Sequence, residues 1–255
     1  MSEIVRIAAW SGPRNISTAM MRSFENRADT AVIDEPFYAA WLAWSGADHP
    51  MRAQVLASQP TDWRRVLHAL LGPVPGGRAV FYQKHMTHHV TPDMDLAWMG
   101  VCRNVFLIRA PEEVVASYRE RRSEVTLEDI GVAQQAELFE READRLGKAP
   151  PVNDAADVLT DPRAALTALC EAVGIAFDPA MLAWPSGPRD TDGVWAPAWY
   201  ESVWASTGFA RPRLPTAASA LDPALRDVAE AARPIYERLA RYRLGVGGLA
   251  HSVGG

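Results

Sequence analysis

Apolar positions along this chain fall into short β-branched runs, separated by stretches in which they recur every three or four residues. The first run, Ile4–Trp10, reads as a buried strand that breaks at the turn cluster Ser11-Gly12-Pro13. From Ser17 the spacing turns helical, with Ala19, Met20, Ser23 and Phe24 on one face. Thr30–Ile33 is a second short strand closed by Asp34-Glu35-Pro36, where Pro36 biases Glu35 away from helix. Phe37–Trp44 is an aromatic-rich helical stretch, and Asp62–Leu71 predicts a helix with Thr61 as its N-cap. Arg78–Gln83 alternates toward a strand that delivers Lys84 and His85 to its end, and Asp93–Met99 reads as a short helix.

Asn104–Ile108 (NVFLI) is the clearest buried strand after the first, and it ends in Arg109. Pro111 suits a first helical position, Glu112 and Glu113 favour the first turn, and the pattern continues to about Arg122. Further helices are expected over Leu127–Leu146, Pro162–Val173 and Asp222–Tyr242, with a last strand at Ala156–Leu159. Pro185–Asp192 reads as a surface loop, and Trp195, Trp199 and Trp204 recur near helical spacing, the mark of core packing. The domain is expected over 1–245, with 246–255 (GVGGLAHSVGG from 245) a flexible tail.

Strands alternating with helices predict an α/β fold, a mostly parallel central sheet with helices on both faces. Ligands in such sheets bind beyond the carboxyl ends of the strands, which gathers Arg14, Glu35, Lys84, His85 and Arg109 at one edge. The first strand–turn–helix is itself an anion site, because free N–H groups and the positive helix end point at one spot. Arg14, Ser17 and Thr18 lie where they add to it.

Composition narrows the ligand. With 255 residues, 48% of them hydrophobic, the chain can bury a full core, and a formal net charge of −5 argues against a broad nucleic-acid surface. The anion site is therefore a local pocket. No apolar run approaches the ~18 residues of a membrane helix, and MSEIVRIAAW lacks the pattern of a signal peptide. Cys102 and Cys170 are isolated thiols, so a cytoplasmic protein is expected. Basic residues are nearly all Arg; Lys stands only at 84 and 148, a hint that an ammonium is wanted at Lys84. The run His85-x-x-His88-His89 lacks a Cys or a well-spaced acid, so no metal is expected.

SGPRNIST followed by a helix, with FLIRAPEEVVASYRERR further on, resembles the sulfotransferases that use 3′-phosphoadenosine 5′-phosphosulfate (PAPS). ADVLTDPRAALTALCEAVGI and WASTGF are looser similarities. The resemblance implies a three-layer P-loop NTPase-like fold. It implies that Gly12, Pro13, Arg14, Asn15, Ser17 and Thr18 belong to the loop holding the 5′-phosphosulfate, and that Arg109 and Ser117 hold the 3′-phosphate. Ile16 stands where the family usually has Gly. A β-branched residue resists φ > 0, so the loop is expected to depart from a Gly-dependent turn, with Gly12 supplying the freedom.

The expected reaction is sulfuryl transfer to a hydroxyl or amine of a small-molecule acceptor, with no nucleic-acid or membrane partner. Arg14 would stabilise the leaving group with Lys84 in support, and the base is Glu35 or His85, with His88 a third option if its loop curls. Some of Trp41, Trp44, Trp195 and Trp199 are expected to line the acceptor pocket. Two rivals remain at this stage: a P-loop phosphotransferase or nucleotide hydrolase, and a binding module of the same fold without turnover. The first would want a loop Lys and a strand-end acid for Mg²⁺; the second strong apolar strand here ends in Arg109 instead. Oligomeric state is not legible in the sequence.

Overall fold

The computed structural model describes residues 4–120, 124–212 and 216–245. Five strands form one all-parallel sheet: β1 (Val5–Ser11), β2 (Thr30–Asp34), β3 (Val80–Met86), β4 (Arg103–Ile108) and β5 (Val152–Asp154), in the order β2-β3-β1-β4-β5. The helices are α1 (Ser17–Glu25), α2 (Tyr38–Ser45), α3 (Arg52–Ser58), α4 (Trp63–Leu71), α5 (Pro111–Arg119) and α6 (Val132–Leu146). After β5 come α7 (Ala155–Thr160), α8 (Pro162–Ala172), the single turns α9 (Ala196–Trp199) and α10 (Glu201–Trp204), and α11 (Pro223–Ala240).

The two-residue period of β1 sorts the layers. Ala8 and Trp10 join Phe81 and Phe106 in a core closed by Val66 and Leu70 of α4, Leu138 and Phe139 of α6 and Leu239 of α11. Ile7 and Ala9 face the other way with Tyr82 and Val105, under Met20, Met21 and Phe24 of α1 and Leu166 and Leu169 of α8. The predicted α/β architecture, helices on both faces of a parallel sheet, is therefore the one observed. Parallel strands covered on both sides must be apolar on both sides, which is why the first and fourth read as continuous runs.

Local predictions fare unevenly. Ala156–Leu159 is helix, not strand: Asp154 ends β5 and accepts from the Ala156 N–H at 2.9 Å, capping α7. The cap of α4 is Asp62, which accepts from Arg64 N at 3.0 Å, rather than Thr61. Lys84 and His85 lie inside β3, which runs on to Met86. Helical structure near Asp93–Met99 is confined to a 3₁₀ stretch at Ala97–Val101, α6 begins only at Val132, and α3 has no counterpart in the sequence reading. Pro185–Asp192 is anchored to α1: buried Arg22 donates to both Asp192 oxygens at 2.6 and 2.7 Å and to Glu25 at 3.0 Å. The expected tail over 246–255 and the expected helix end at Arg122 lie outside the described residues.

Candidate functional site

The turn between β1 and α1 is held in an unusual backbone conformation. Arg14 has φ 61° and Ile16 has φ 55°, both left-handed, whereas Gly12 does not use a positive φ. The expectation for this loop is thus reversed. Ile16 itself adopts the left-handed conformation, which costs such residues on the order of 1–3 kcal/mol. It is retained because its side chain packs against the apolar layer beneath α1. Gly12 serves close approach: a Cβ there would lie 2.1 Å from the Ile130 carbonyl oxygen. Ile16 is also the N-cap of α1 and offers no side-chain acceptor, so no side chain of its own caps the first N–H groups of that helix.

Three of the predicted residues meet beside this loop. Arg14 donates from Nε to Ser117 Oγ at 2.9 Å, and Arg109 donates to the Arg14 carbonyl oxygen at 2.7 Å. Arg109 also bonds Glu113 at 3.0 Å, and Glu113 accepts from Thr216 N at 2.6 Å. Glu112 is engaged elsewhere, by Arg233 of α11. Ser17 and Pro13 are half-buried, and Thr18 is buried within the first turn of α1. Asn15 turns inward: its amide donates to the Gly12 carbonyl at 3.3 Å, and its Oδ1 is buried with no partner among the described residues.

A second cluster sits where β2 and β3 end. The register aligns Asp34 with Lys84. The Lys84 ammonium, buried to 1% exposure, donates to Asp34 Oδ1 at 2.8 Å, Glu35 Oε1 at 2.7 Å and Tyr200 Oη at 2.7 Å. Tyr200 donates to Asp34 Oδ2 at 2.6 Å, and Trp195 Nε1 reaches the same phenol oxygen at 3.1 Å. Burial works against the ammonium, but the two carboxylates outweigh it and hold the Lys84 pKa well above the ordinary lysine value. Burial pushes the Glu35 carboxyl up, against the pull of Lys84. Glu35 also has φ 39°, a further strained position at the sheet's carboxyl edge.

His85 lies on the other side of β3. It stacks on Trp10 at 4.5 Å and Phe37 at 5.4 Å, contacts Gln83 at 3.2 Å and is driven by burial to a pKa of about 3. Adjacent residues of a strand point to opposite faces, so Lys84 and His85 do not share a site. The segment after β3 curls into a 3₁₀ turn, Thr87–His89. His89 stacks between Tyr38 at 4.5 Å and Trp41 at 5.0 Å, and His88 meets Trp41 edge-on at 5.1 Å. Burial holds both imidazoles neutral, His88 at about 3. Trp41, Trp44 and His88 line a cleft of about 700 Å³ that Tyr118, next to Ser117, also borders. Trp195 is instead in the core, and Trp199 stacks on Tyr118 at 6.2 Å.

A family model described as a sulfotransferase domain matches residues 5–242. The chain belongs to the sulfotransferase domain family. It is 35% identical over 213 residues to branched-chain-amino-acid aminotransferase-like protein 1 of Arabidopsis thaliana, 84% of this chain but 38% of that protein. The chain therefore spans about two fifths of that curated relative. A sulfotransferase from Alicyclobacillus acidocaldarius superimposes with a TM-score of 0.54 at 12% identity, covering 94% of this chain and 96% of that one. The sulfotransferase domain from the curacin biosynthetic pathway gives 0.53 at 13%, covering 91% and 99%. These likenesses show the fold.

Among the described residues of this sulfotransferase-domain chain, no group of His, Cys, Asp and Glu is arranged to hold a metal ion, and no helix is long and apolar enough to cross a membrane. Sequence reasoning missed Asp34, Tyr200 and Gly193, and it assigned Trp195 to core packing or an acceptor pocket rather than to the Lys84 cluster that these four complete. The doublet Asp34-Glu35 was the available signal; nothing local marks Tyr200, more than a hundred positions away from Lys84 in the chain. Gly193 donates its N–H to Asp34 at 3.3 Å, and a Cβ on it would fall 2.1 Å from the Trp195 ring. Gly193→Ala is expected to displace Trp195 and cost about 1–3 kcal/mol, read as a lower urea midpoint with an unchanged slope.

Proposed function

We propose that this chain transfers a sulfuryl group from PAPS to a hydroxyl or amine of a small-molecule acceptor. The observation that carries the reading is the convergence of Arg14, Arg109 and Ser117 beside the strained loop and the uncapped start of α1. Two guanidinium groups, hydroxyls and free N–H groups at a helix start suit a ligand with phosphate at both its 5′ and 3′ ends. In this reading Gly12, Pro13, Arg14, Ser17 and Thr18 surround the 5′ end, and Arg109 and Ser117 take the 3′-phosphate. Asn15 supports the loop from within, through its bond to Gly12.

PAPS supplies an activated sulfuryl group: its S–O bond to phosphate breaks as a bond from sulfur to the acceptor O or N forms. The chain's task is to align the acceptor, neutralise charge on the departing phosphate and accept the acceptor's proton. Arg14 is placed for the second task. Glu35 is the better base: it stands at the carboxyl edge, one oxygen held by Lys84. His85 is enclosed by aromatic rings. Lys84 spends all three N–H donors on Asp34, Glu35 and Tyr200, so it positions Glu35 rather than gripping phosphate.

The test is a thermal-shift titration with 3′,5′-adenosine bisphosphate without Mg²⁺, beside ATP with Mg²⁺. A ligand that binds the native state alone raises its apparent stability, so no acceptor need be known. The bisphosphate is expected to stabilise the protein. Arg109→Ala should weaken that binding about ten- to a hundredfold, the value of a charge-assisted pair. Stabilisation by Mg-ATP alone would make the protein a phosphotransferase.

A further inference from the structure

The cleft of about 700 Å³ lies between α2, the connection from His88 to Leu96, the end of α5 and α6. That volume is within the ~300–1,000 Å³ typical of small-molecule sites. Its walls are mostly apolar, with Trp41, Met94, Leu96, Tyr118 and Leu138 inside and Trp44, 57% exposed, beside them. His88 and Gln134 also belong to the lining.

Among the described residues of the lining one sign of charge dominates: Glu128, Asp129 and Glu137 stand with one permanent cation, Arg141. Asp129 is held in place by Thr126, whose N–H and hydroxyl donate to it at 2.9 and 2.8 Å. An acidic rim and indole walls together select a cation with an apolar body; indole faces add a cation–π attraction. A carboxylate in the same place would meet three like charges.

We propose that this cleft binds the acceptor, and that the acceptor is an aromatic or similarly flat apolar molecule carrying a protonated amine. Calling the occupant the acceptor rests on the proposed sulfuryl transfer; the amine-selective site does not. The two halves then sort by charge. The anionic donor goes to Arg14 and Arg109, and the cationic acceptor to the acidic cleft; α5 contributes to both, with Tyr118 on the cleft and its neighbour Ser117 accepting from Arg14.

The experiment is calorimetric titration of the protein, without nucleotide, with three matched probes: naphthylethylamine, naphthylethanol and naphthylacetate. The amine is expected to bind about tenfold tighter than the alcohol, and the acetate weakest, with the preference shrinking in high salt. Glu128→Gln with Glu137→Gln should bring amine and alcohol within about threefold of each other while leaving the alcohol unchanged. Trp44→Ala should weaken all probes alike. Both glutamates are exposed, so the double variant should fold, and its melting curve checks that. Equal affinity for the three probes, a preference for the acetate, a preference that survives the double variant, or no binding at all would overturn the proposal. Amine binding by a protein that ignores adenosine bisphosphate would instead sink the transfer reading and leave the amine site standing.

Discussion

Lys84→Met is expected to destabilise the protein by about 3–5 kcal/mol at neutral pH, the cost of leaving buried charge without its partner. Methionine keeps most of the volume but none of the three donors, so Asp34 and Glu35 face each other with only Tyr200 between them. The sign of the pH dependence follows. In the native protein Lys84 has a raised pKa, so its contribution is complete below the ordinary lysine value and is lost only as pH climbs through the raised one. In the variant Glu35 loses the pull of Lys84, while burial still favours its protonated form. That penalty is present at neutral pH and relieved as pH falls through the raised Glu35 pKa. Urea titrations of both proteins should therefore show a deficit that narrows on acidification. A deficit that stays constant or widens would mean that Lys84, Asp34 and Glu35 do not form one coupled buried charge system.

Glu35→Gln should lower kcat by about a hundred- to ten-thousandfold, the usual weight of a general base, once an acceptor is in hand. Bisphosphate binding should survive, because Arg14, Arg109 and Ser117 are untouched. The wild-type rate should fall at low pH, as protons fill the Glu35 carboxyl whose pKa burial has raised, with Lys84, Asp34 and Tyr200 facing it. That limb should vanish from the residual activity of the variant. His85→Asn should keep the limb and most of kcat while losing stability, since the ring fills the space between Trp10 and Phe37. The opposite pattern, with Glu35→Gln near wild type, would remove Glu35 from the chemistry. Full bisphosphate binding without turnover in the wild type would make the chain a binding module.

The strands that the pattern predicts well are those buried on both faces, because an unbroken β-branched run has few other uses. The last strand is misplaced since Val152–Asp154 is too short to show a period, and the helix-favouring Ala155-Ala156 follows a capping Asp154. Arg14 and Arg109 are legible for a related reason, since each follows the end of a strand; Ser117, which joins them, is marked by the family resemblance alone. The pairing of Lys84 with His85 is not legible, because a two-residue period separates neighbours that the eye joins.

By itself, then, the sequence determined the layered α/β plan, the turn at Arg14 between the first strand and helix, the strand-end Arg109 and the acid doublet before Pro36. Each is a local matter of apolar period, turn chemistry or charge at an element's end. Tertiary structure alone decided that Ile16 rather than Gly12 takes the left-handed backbone, since the layer packed beneath α1 holds it there. It alone brought Tyr200 and Trp195 to Lys84, enclosed His85 in aromatic rings and opened the acidic cleft beside Trp41. Those contacts join residues far apart in the chain, and no local propensity records which distant side chain will share a buried charge.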